Sequence, residues 1–232
     1  NKNNWSDLET PSFKEGIPKI VDEILEVSQE LTGIPPLLQI SAPYSLAADI
    51  YGQEPLLADL VNDTDTVNSM LDHLGDKVLA PWMDHHFQKF PNGWVELSDA
   101  SGSPFFIGPE NCINISIRSI RHMLRDKKYS ERVFDNNFRG DFVAEVKKKG
   151  RTSRRNTAKS FSSNRNKLIE LTEAKISVNP VFIMRLEADK VDISFYEEQA
   201  ILNNIPLTSG IGSPQIDRNS IENLGEAKIH IR

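Results

Sequence analysis

The stretch WVELSDASGSPFFIGPEN, residues 94–111, changes character twice along its length. Its apolar and β-branched start is typical of a strand, and the small polar residues that follow are typical of a loop. Pro109 followed by Glu110 is typical of the first turn of a helix. In α/β proteins, ligands bind where a strand ends in a loop before a helix. The stretch therefore predicts a parallel sheet with a functional edge at residues 98–103.

Helices and short apolar strands alternate along the rest of the chain. Apolar residues recur at helical spacing in SFKEGIPKIVDEILEVSQEL (12–31) and in GPENCINISIRSIRHMLRD (108–126). The predicted strands are LLQISA (37–42), GWVELSD (93–99), RVFDNNF (132–138), PVFIMRL (180–186) and IPLTSGIGSP (205–214). This alternation predicts the α/β class, with a (β/α)8 TIM-barrel-like fold or a partial barrel that lacks terminal elements. We expect one domain over residues 1–232, in which the polar, basic segment 150–167 is an exposed loop.

Composition and charge exclude several classes of protein. The 232 residues carry 27 Lys and Arg against 33 Asp and Glu, and the formal net charge of −6 argues against a nucleic-acid binder. No apolar run is long enough for a membrane span, and a single cysteine, Cys112, excludes a disulfide within this chain. We therefore expect a cytoplasmic protein that binds neither nucleic acid nor membrane.

Four predicted strands end in small or polar segments, which would meet at one mouth of a barrel. Asp99 lies in the second segment, and Asn137 and Arg139 lie in the third, where alternation places both on one side of a strand. The forked guanidinium of Arg139 suits a carboxylate or phosphate on a ligand. These three are the catalytic candidates. The substrate-binding candidates from the strand ends are Ser41, Tyr44, Ser101, Thr208 and Gly210.

Structural roles remain open for the same residues. Asp99 would also suit a loop in which its carboxylate bonds to its own backbone. Arg139 would also suit an ion pair with Asp141 or Asp99, and in that arrangement it would bind no ligand.

A metal-dependent nuclease is a rival interpretation of the third strand end. Asp135, Glu145 and Lys147 match the loose D…ExK spacing in which two carboxylates hold Mg²⁺ and a lysine stabilises charge. The basic segment after them could then hold DNA phosphates. Lys147 equally suits the last turn of a helix, where cations are favoured, so the pattern is weak.

The histidines and the cysteine give little support for other chemistry. His85 and His86 are adjacent, so on a helix they point to different faces and form a poor metal pair. We expect surface or boundary positions for both. Cys112 lies near the start of a predicted helix with no nearby histidine base, so we expect a plain buried thiol.

Three stretches together resemble the uroporphyrinogen decarboxylase superfamily, which includes the decarboxylase and the corrinoid (cobamide) methyltransferases. They are SAPYSLAADIYGQEPLLADLVNDTDTVNSMLDHLGDKV (41–78), WVELSDASGSPFFIGPENC (94–112) and RVFDNNFRGDF (132–142). The later IPLTSGIGSPQIDR is compatible but less specific. The resemblance implies a TIM barrel, and it extends over residues 34–141 best.

The resemblance also implies roles for single residues. Asp99 matches the family's acidic loop position, which faces the pocket and accepts hydrogen bonds from ring N–H groups. Asp49 stands where the decarboxylase has a tyrosine, which makes it a further substrate-binding candidate, with Tyr51 two residues on. Asn137 and Arg139 stand where the methyltransferases have zinc ligands. Neither is an ordinary zinc ligand, so we expect no metal here.

The function implied by the resemblance is decarboxylation of a tetrapyrrole or a similarly polycarboxylated small molecule. Catalysis would be electrostatic and would need no metal or organic cofactor. The alternatives are a methyltransferase component that uses a corrinoid and a corrinoid protein partner, and a non-catalytic ligand-binding relative. The family's N-terminal arginine-bearing loop has no counterpart here, so the chain would form a partial barrel. If the chain is complete, we expect a homo-oligomer that covers the exposed sheet edges.

Overall fold

The computed structural model describes residues 5–136, 157–178, 182–187 and 193–210 of the chain. Within these residues the fold is mixed α/β and mostly helical. The strands are β1 (Leu37–Ser41), β2 (Trp94–Ser98), β3 (Val133–Asn136), β4 (Phe182–Glu187) and β5 (Leu207–Gly210). The α-helices are α1 (Gly16–Thr32), α2 (Pro43–Tyr51), α3 (Gln53–Asn62), α4 (Thr64–Leu74), α5 (Ala80–Lys89), α6 (Pro104–Asn111), α7 (Arg118–Leu124), α8 (Thr157–Ile176) and α9 (Ile193–Asn203). Four of the described strands lie within segments predicted to form strands, and β4 ends one residue beyond its predicted segment, 180–186.

The strands pair in parallel, as the alternation of helices and strands predicts. β1, β2 and β3 form one sheet in that order, β4 and β5 form a second pair, and β3 contacts β4. Leu38 of β1 lies beside Val95 of β2 in the register, and Ile40 lies beside Leu97. These four side chains are buried in one core cluster with apolar residues of the helices. One face of the three-stranded sheet is therefore covered by helices.

Local sequence explains where several helices begin. Pro43 occupies the first position of α2, where its missing N–H costs no hydrogen bond. The Asp63 side chain caps α4 by accepting from the Thr66 amide at 3.2 Å. A short π-helical segment (Gly75–Leu79) joins α4 to α5, and Pro81 lies in the first turn of α5. Among the described helices, none is both long enough and apolar enough to cross a membrane.

The helix predicted after β2 forms in two pieces. Gly108 has φ +79° and breaks the helical backbone inside α6, so the chain turns helical again at Pro109. This confirms Pro109 as a helix start. A π-helical segment (Cys112–Ile117) then leads into α7.

The prediction of an exposed loop at residues 150–167 is wrong in its second part. Residues 157–167 belong to α8, whereas residues 150–156 lie outside the described residues. The Ser- and Asn-rich sequence of that part has weak helix propensity. Leu168 and Leu171 in the second half of α8 are buried in the core. Their packing anchors the helix, and helical hydrogen bonding propagates from such an anchor at little cost.

Candidate functional site at the carboxyl edge of the sheet

The register of the sheet assigns the candidate residues to two different faces. Side chains alternate along a strand, so Val95, Leu97 and then Asp99 point towards the helices. Asp135 lies beside Leu97 in the register and shares that face. Gln39 and Glu96, which also lie side by side, point the other way. The two faces therefore need separate descriptions.

Asp99 is completely buried on the helix-covered face, where groups of the chain itself bind its carboxylate. Oδ1 accepts hydrogen bonds from the Ser45 hydroxyl at 2.8 Å and from the Gly102 amide at 3.2 Å. Oδ2 accepts a hydrogen bond from the Ser116 hydroxyl. The Ser101 amide donates to the Ser45 oxygen at 3.2 Å. This is the loop-capping alternative for Asp99, with additional hydrogen bonds from a hydroxyl of α2 and a hydroxyl of the π-helical segment Cys112–Ile117.

The glycine in this loop is explained by the same carboxylate. A methyl group at Gly102 would lie 2.3 Å from Asp99 Oδ2, which is far inside van der Waals contact. The small residues after β2 therefore let the backbone approach Asp99 itself. Burial raises the pKa of the Asp99 carboxyl above its usual value, although the hydrogen bonds from Ser116 and Ser45 act in the opposite direction. The loop thus encloses a carboxylate that burial makes harder to ionise.

A buried ion pair lies close to Asp99. Lys175 Nζ of α8 is 3.0 Å from Asp135 Oδ1 of β3, and the two side chains are 2% and 1% exposed. This ion pair connects α8 to β3 of the sheet. Asp135 is thus neutralised by a lysine in the described structure, whereas Glu145 and Lys147 of the nuclease pattern lie outside the described residues.

Two further observations bear on metal and thiol chemistry. In the described ranges, no group of three or more His, Cys, Asp or Glu side chains is arranged to hold a metal ion. Cys112 is fully buried near Asp99 and Asp135, and burial raises the pKa of its thiol well above the ordinary value. A buried thiol that resists ionisation is unreactive, as the sequence predicted.

Tyr44 and Asp49 both lie on α2 but in opposite environments. Tyr44 is completely buried, and its hydroxyl has no hydrogen-bond partner within the described part of the chain. Burial, together with the negative charge of Asp99, raises the pKa of the Tyr44 phenol. Asp49 is exposed. Since Tyr44 belongs to the helix-covered core, the structure does not bring these two residues together at the mouth.

The remaining candidates divide between the edge and the undescribed chain. Ser41 ends β1 and Ser101 lies in the loop after β2, and both are half-buried. Thr208 and Gly210 belong to β5. Asn137, Arg139 and Asp141 follow β3 outside the described residues. The carboxyl ends of β1, β2 and β3 do lie next to one another, as predicted.

The face away from the helices carries a polar row that the strand-end argument missed. Gln39 lies beside Glu96, and Ser41 lies beside Ser98 at the carboxyl edge. Gln39 is exposed and the two serines are half-buried, whereas Glu96 is only 1% exposed. Phe134 of β3 lies on the other side of Glu96. Glu96 therefore forms the floor of this polar row, and the other three form its rim.

A sequence signal for this row exists in LLQIS and WVELS. Each segment places a polar residue at its centre and a serine two residues later, which is one face of a strand. A charged residue at the centre of a short, otherwise buried strand is uncommon and favours a functional role.

Comparison with protein-family models, curated protein sequences and solved structures finds no match to this chain. The interpretation of its function therefore depends on the chemistry of the two faces. On the helix-covered face, Asp99 and Asp135 already have partners within the chain. On the polar face, Ser41 and Ser98 lie side by side at the carboxyl edge, and the Gln39 side chain is exposed. Such a surface can orient a polar small molecule.

Proposed function

We propose that the chain is an enzyme similar to the uroporphyrinogen decarboxylase superfamily, with the strands arranged as part of a (β/α)8 barrel. Its substrate would be a tetrapyrrole or a similarly polycarboxylated small molecule, and its location the cytoplasm. The polar row of Gln39, Ser41, Glu96 and Ser98 is the observation that carries the proposal. Two of its members, Ser41 and Ser98, end their strands at the carboxyl edge of the parallel sheet, where enzymes of this architecture bind their substrates.

In this proposal Glu96 takes the role that the sequence resemblance gives to Asp99. Asp99 is enclosed by Ser45, Gly102 and Ser116 on the helix-covered face, whereas Glu96 points to the opposite face of the sheet. The Glu96 carboxylate would accept hydrogen bonds from the N–H groups of the substrate ring. A fixed negative charge there would stabilise the cation formed when the ring takes up a proton from solvent. The electron pair of the C–CO₂ bond would then neutralise this cation as CO₂ leaves, and the exocyclic carbon would take up a proton from solvent as the ring loses its own. This catalysis requires only preorganised charge.

The rim of the row would bind the substrate's carboxylates. The hydroxyl groups of Ser41 and Ser98 can donate hydrogen bonds at the edge of the sheet. Arg139, three residues beyond the end of β3, would supply the cation that pairs with an anionic substrate. The proposal therefore combines one acceptor on the floor, two donors on the rim and one cation after β3.

Tryptophan fluorescence can test the proposal directly. Trp94 lies on the same face as Glu96, two residues earlier in β2, and is half-buried. We expect uroporphyrin-type ligands to quench fluorescence in a saturable way. Glu96→Gln keeps the shape of the side chain and removes its charge. Because hydrogen bonds to charged groups contribute about 1.5–3 kcal/mol, we expect roughly tenfold to hundredfold weaker binding.

Matched variants separate the site from a general charge effect. Glu173→Gln changes an exposed residue of α8 and should leave binding unchanged, whereas Arg139→Ala should weaken it. Quenching by corrinoids alone would replace the proposal with the methyltransferase alternative. Binding of the tetrapyrrole without release of CO₂ from uroporphyrinogen would point to a non-catalytic relative. If neither ligand class binds, the proposed substrate class is wrong.

A further inference from the structure

Helix α1 presents an apolar stripe to solvent instead of burying it. Five large apolar residues of α1 and one just beyond its end are between about half and four-fifths exposed: Ile17 66%, Ile20 51%, Ile24 61%, Val27 53%, Leu31 81% and Ile34 65%. We call these six residues the α1 stripe. Single exposed apolar residues are normal on a protein, but a contiguous row of this length marks an interaction surface.

The inward side of α1 explains why the stripe faces outward. Asp22 is 4% exposed and contacts α5, where Oδ2 lies 2.6 Å from His85 Nε2 and 3.4 Å from Lys89 Nζ. Val21 and Leu25 pack against the core on the same side. A helix with a buried carboxylate bound to a neighbouring helix has a fixed rotation about its axis. The stripe therefore cannot turn inward without breaking the contacts of Asp22.

The spacing of the stripe suits pairing with another helix. Its five members on α1 follow one another at intervals of three, four, three and four residues, and Ile34 lies beyond the left-handed Gly33 that ends the helix. This is the heptad seam through which two helices interlock their side chains. We propose that the α1 stripe is the interface through which a second copy of this chain binds, so that two α1 helices pack against each other. The proposal does not depend on the chemistry at the sheet edge.

The size of the stripe fits a second copy of the chain. With the exposed fractions above, the six side chains present on the order of 600 Å², against about 800 Å² per partner in a standard interface. Residues at the margin of the stripe would supply the remainder. A helix that carries a regular seam is complementary to itself, which is what a symmetric dimer requires.

Two of the glutamates beside the stripe are paired with lysines of the same chain. Glu23 pairs with Lys19 one turn earlier, with Nζ and Oε1 3.5 Å apart. Glu26 pairs with Lys89 of α5 at 2.9 Å. Since these glutamates are matched within the chain, a basic partner would gain little from them. The apolar residues of the α1 stripe then determine the partner, and the α1 helix of a second copy carries the same spacing.

Sedimentation analysis over a range of concentrations tests the proposal. We expect the unmodified chain to form dimers in a concentration-dependent way. Ile24→Glu places a charge at the centre of the stripe, and we expect at least tenfold weaker association because a buried unpaired charge is unfavourable. Val61→Glu is the matched control, since Val61 on α3 is 84% exposed and lies outside the stripe. This control should dimerise like the unmodified chain.

A cross-linking variant gives an independent readout that tolerates small losses of stability. Cys112 is completely buried, so Ile24→Cys introduces one reactive thiol. A short bis-maleimide should join two Ile24→Cys chains efficiently, whereas Val61→Cys chains should remain single. A monomeric unmodified chain at concentrations on the order of 100 μM would overturn the proposal. So would a monomer that Ile24→Glu destabilises, because the stripe would then be covered within one chain.

Discussion

The two faces of the three-stranded sheet use polar residues in opposite ways. On the helix-covered face, Asp99, Asp135 and Lys175 are buried, and the chain supplies partners for them. On the other face, Gln39 is exposed, and Ser41 and Ser98 are half-buried at the edge. Of these residues, Asp99, Asp135, Ser41 and Ser98 all lie at or next to the carboxyl ends of neighbouring strands. Position along a strand therefore does not decide whether a polar residue serves the fold or a ligand.

The direction of the side chain decides whether a polar residue serves the fold or a ligand. Glu96 and Asp99 are three residues apart, so one points away from the helices and the other points under them. A polar group under the helices must be paired, since an unpaired one is unfavourable in the core. A polar group on the open edge can exchange water for a ligand. Removal of polar groups should therefore reduce stability on the first face and binding on the second.

The largest effect is expected from Lys175→Met. The change leaves Asp135 buried without its counter-charge and close to the second buried carboxylate, Asp99. Loss of one partner from a buried pair typically lowers the free energy of unfolding by about 3–5 kcal/mol. Urea denaturation followed by circular dichroism would measure the loss. The double variant Lys175→Met/Asp135→Leu should recover most of it, because both charges are then absent.

A small effect would contradict this account of the helix-covered face. If Lys175→Met changes the free energy of unfolding by less than about 1 kcal/mol, the pair does not anchor α8 to the sheet. If the double variant is no better than the single one, the lost packing of the lysine stem, and not the stranded carboxylate, accounts for the damage.

The sheet itself was predictable because its signals are local. The segments LLQIS and WVELS combine apolar residues with small residues after the strand, and both form strands in parallel register. The face of each side chain was not predictable in the same way. Alternation shows that Glu96 and Asp99 differ in face, but only the packing of α2 and the π-helical segment shows which face is covered. The structure encloses the Asp99 carboxylate within the chain, and a ligand-facing role for this residue stays a prediction.

The burial of His86 is a second feature that the sequence does not predict. The sequence predicts a surface or boundary position for His86. The structure buries this residue to 1% exposure, and the centroids of the His86 and Phe90 rings are 5.2 Å apart. A methyl group at Gly93 would lie 2.6 Å from its Nε2. The neighbouring His85 contacts Asp22 near the surface, so one residue of the pair is buried and its neighbour is half-exposed. Nothing in two adjacent histidines indicates which one the core accepts.

We expect the free energy of unfolding to depend on pH through the protonation of His86. Burial lowers the pKa of His86 from 6.5 to about 4. Between these values the unfolded chain binds a proton that the folded chain does not, so stability is complete above pH 6.5 and falls as the pH drops towards 4. At 1.36 kcal/mol for each unit, the loss is about 3 kcal/mol. Urea denaturation at several pH values would measure it.

The difference between two chains isolates this effect from other titrating groups. His86→Leu should lose less stability than the unmodified chain over the same pH interval. The raised pKa of Asp99 acts in the opposite direction, since the folded chain then holds a proton more tightly, but it is common to both chains. Equal pH profiles for the two chains would show that His86 takes up its proton without loss of the fold.

The smallest changes in the free energy of unfolding are expected from replacing four serines, two on each face of the sheet. Ser116→Ala and Ser45→Ala each remove a hydroxyl that donates to Asp99. Each should lower the free energy of unfolding by about 1–2 kcal/mol.

Ser41→Ala and Ser98→Ala act on the polar row, where water can replace a lost hydroxyl, so each should stay within about 0.5 kcal/mol of the unmodified chain. Thermal or urea denaturation of the four variants under one condition makes the comparison. A cost at Ser98 as large as that at Ser116 would mean that the polar row is a structural network like the Asp99 cluster. Glu96 would then be a residue of the fold, and the ligand would have to bind elsewhere.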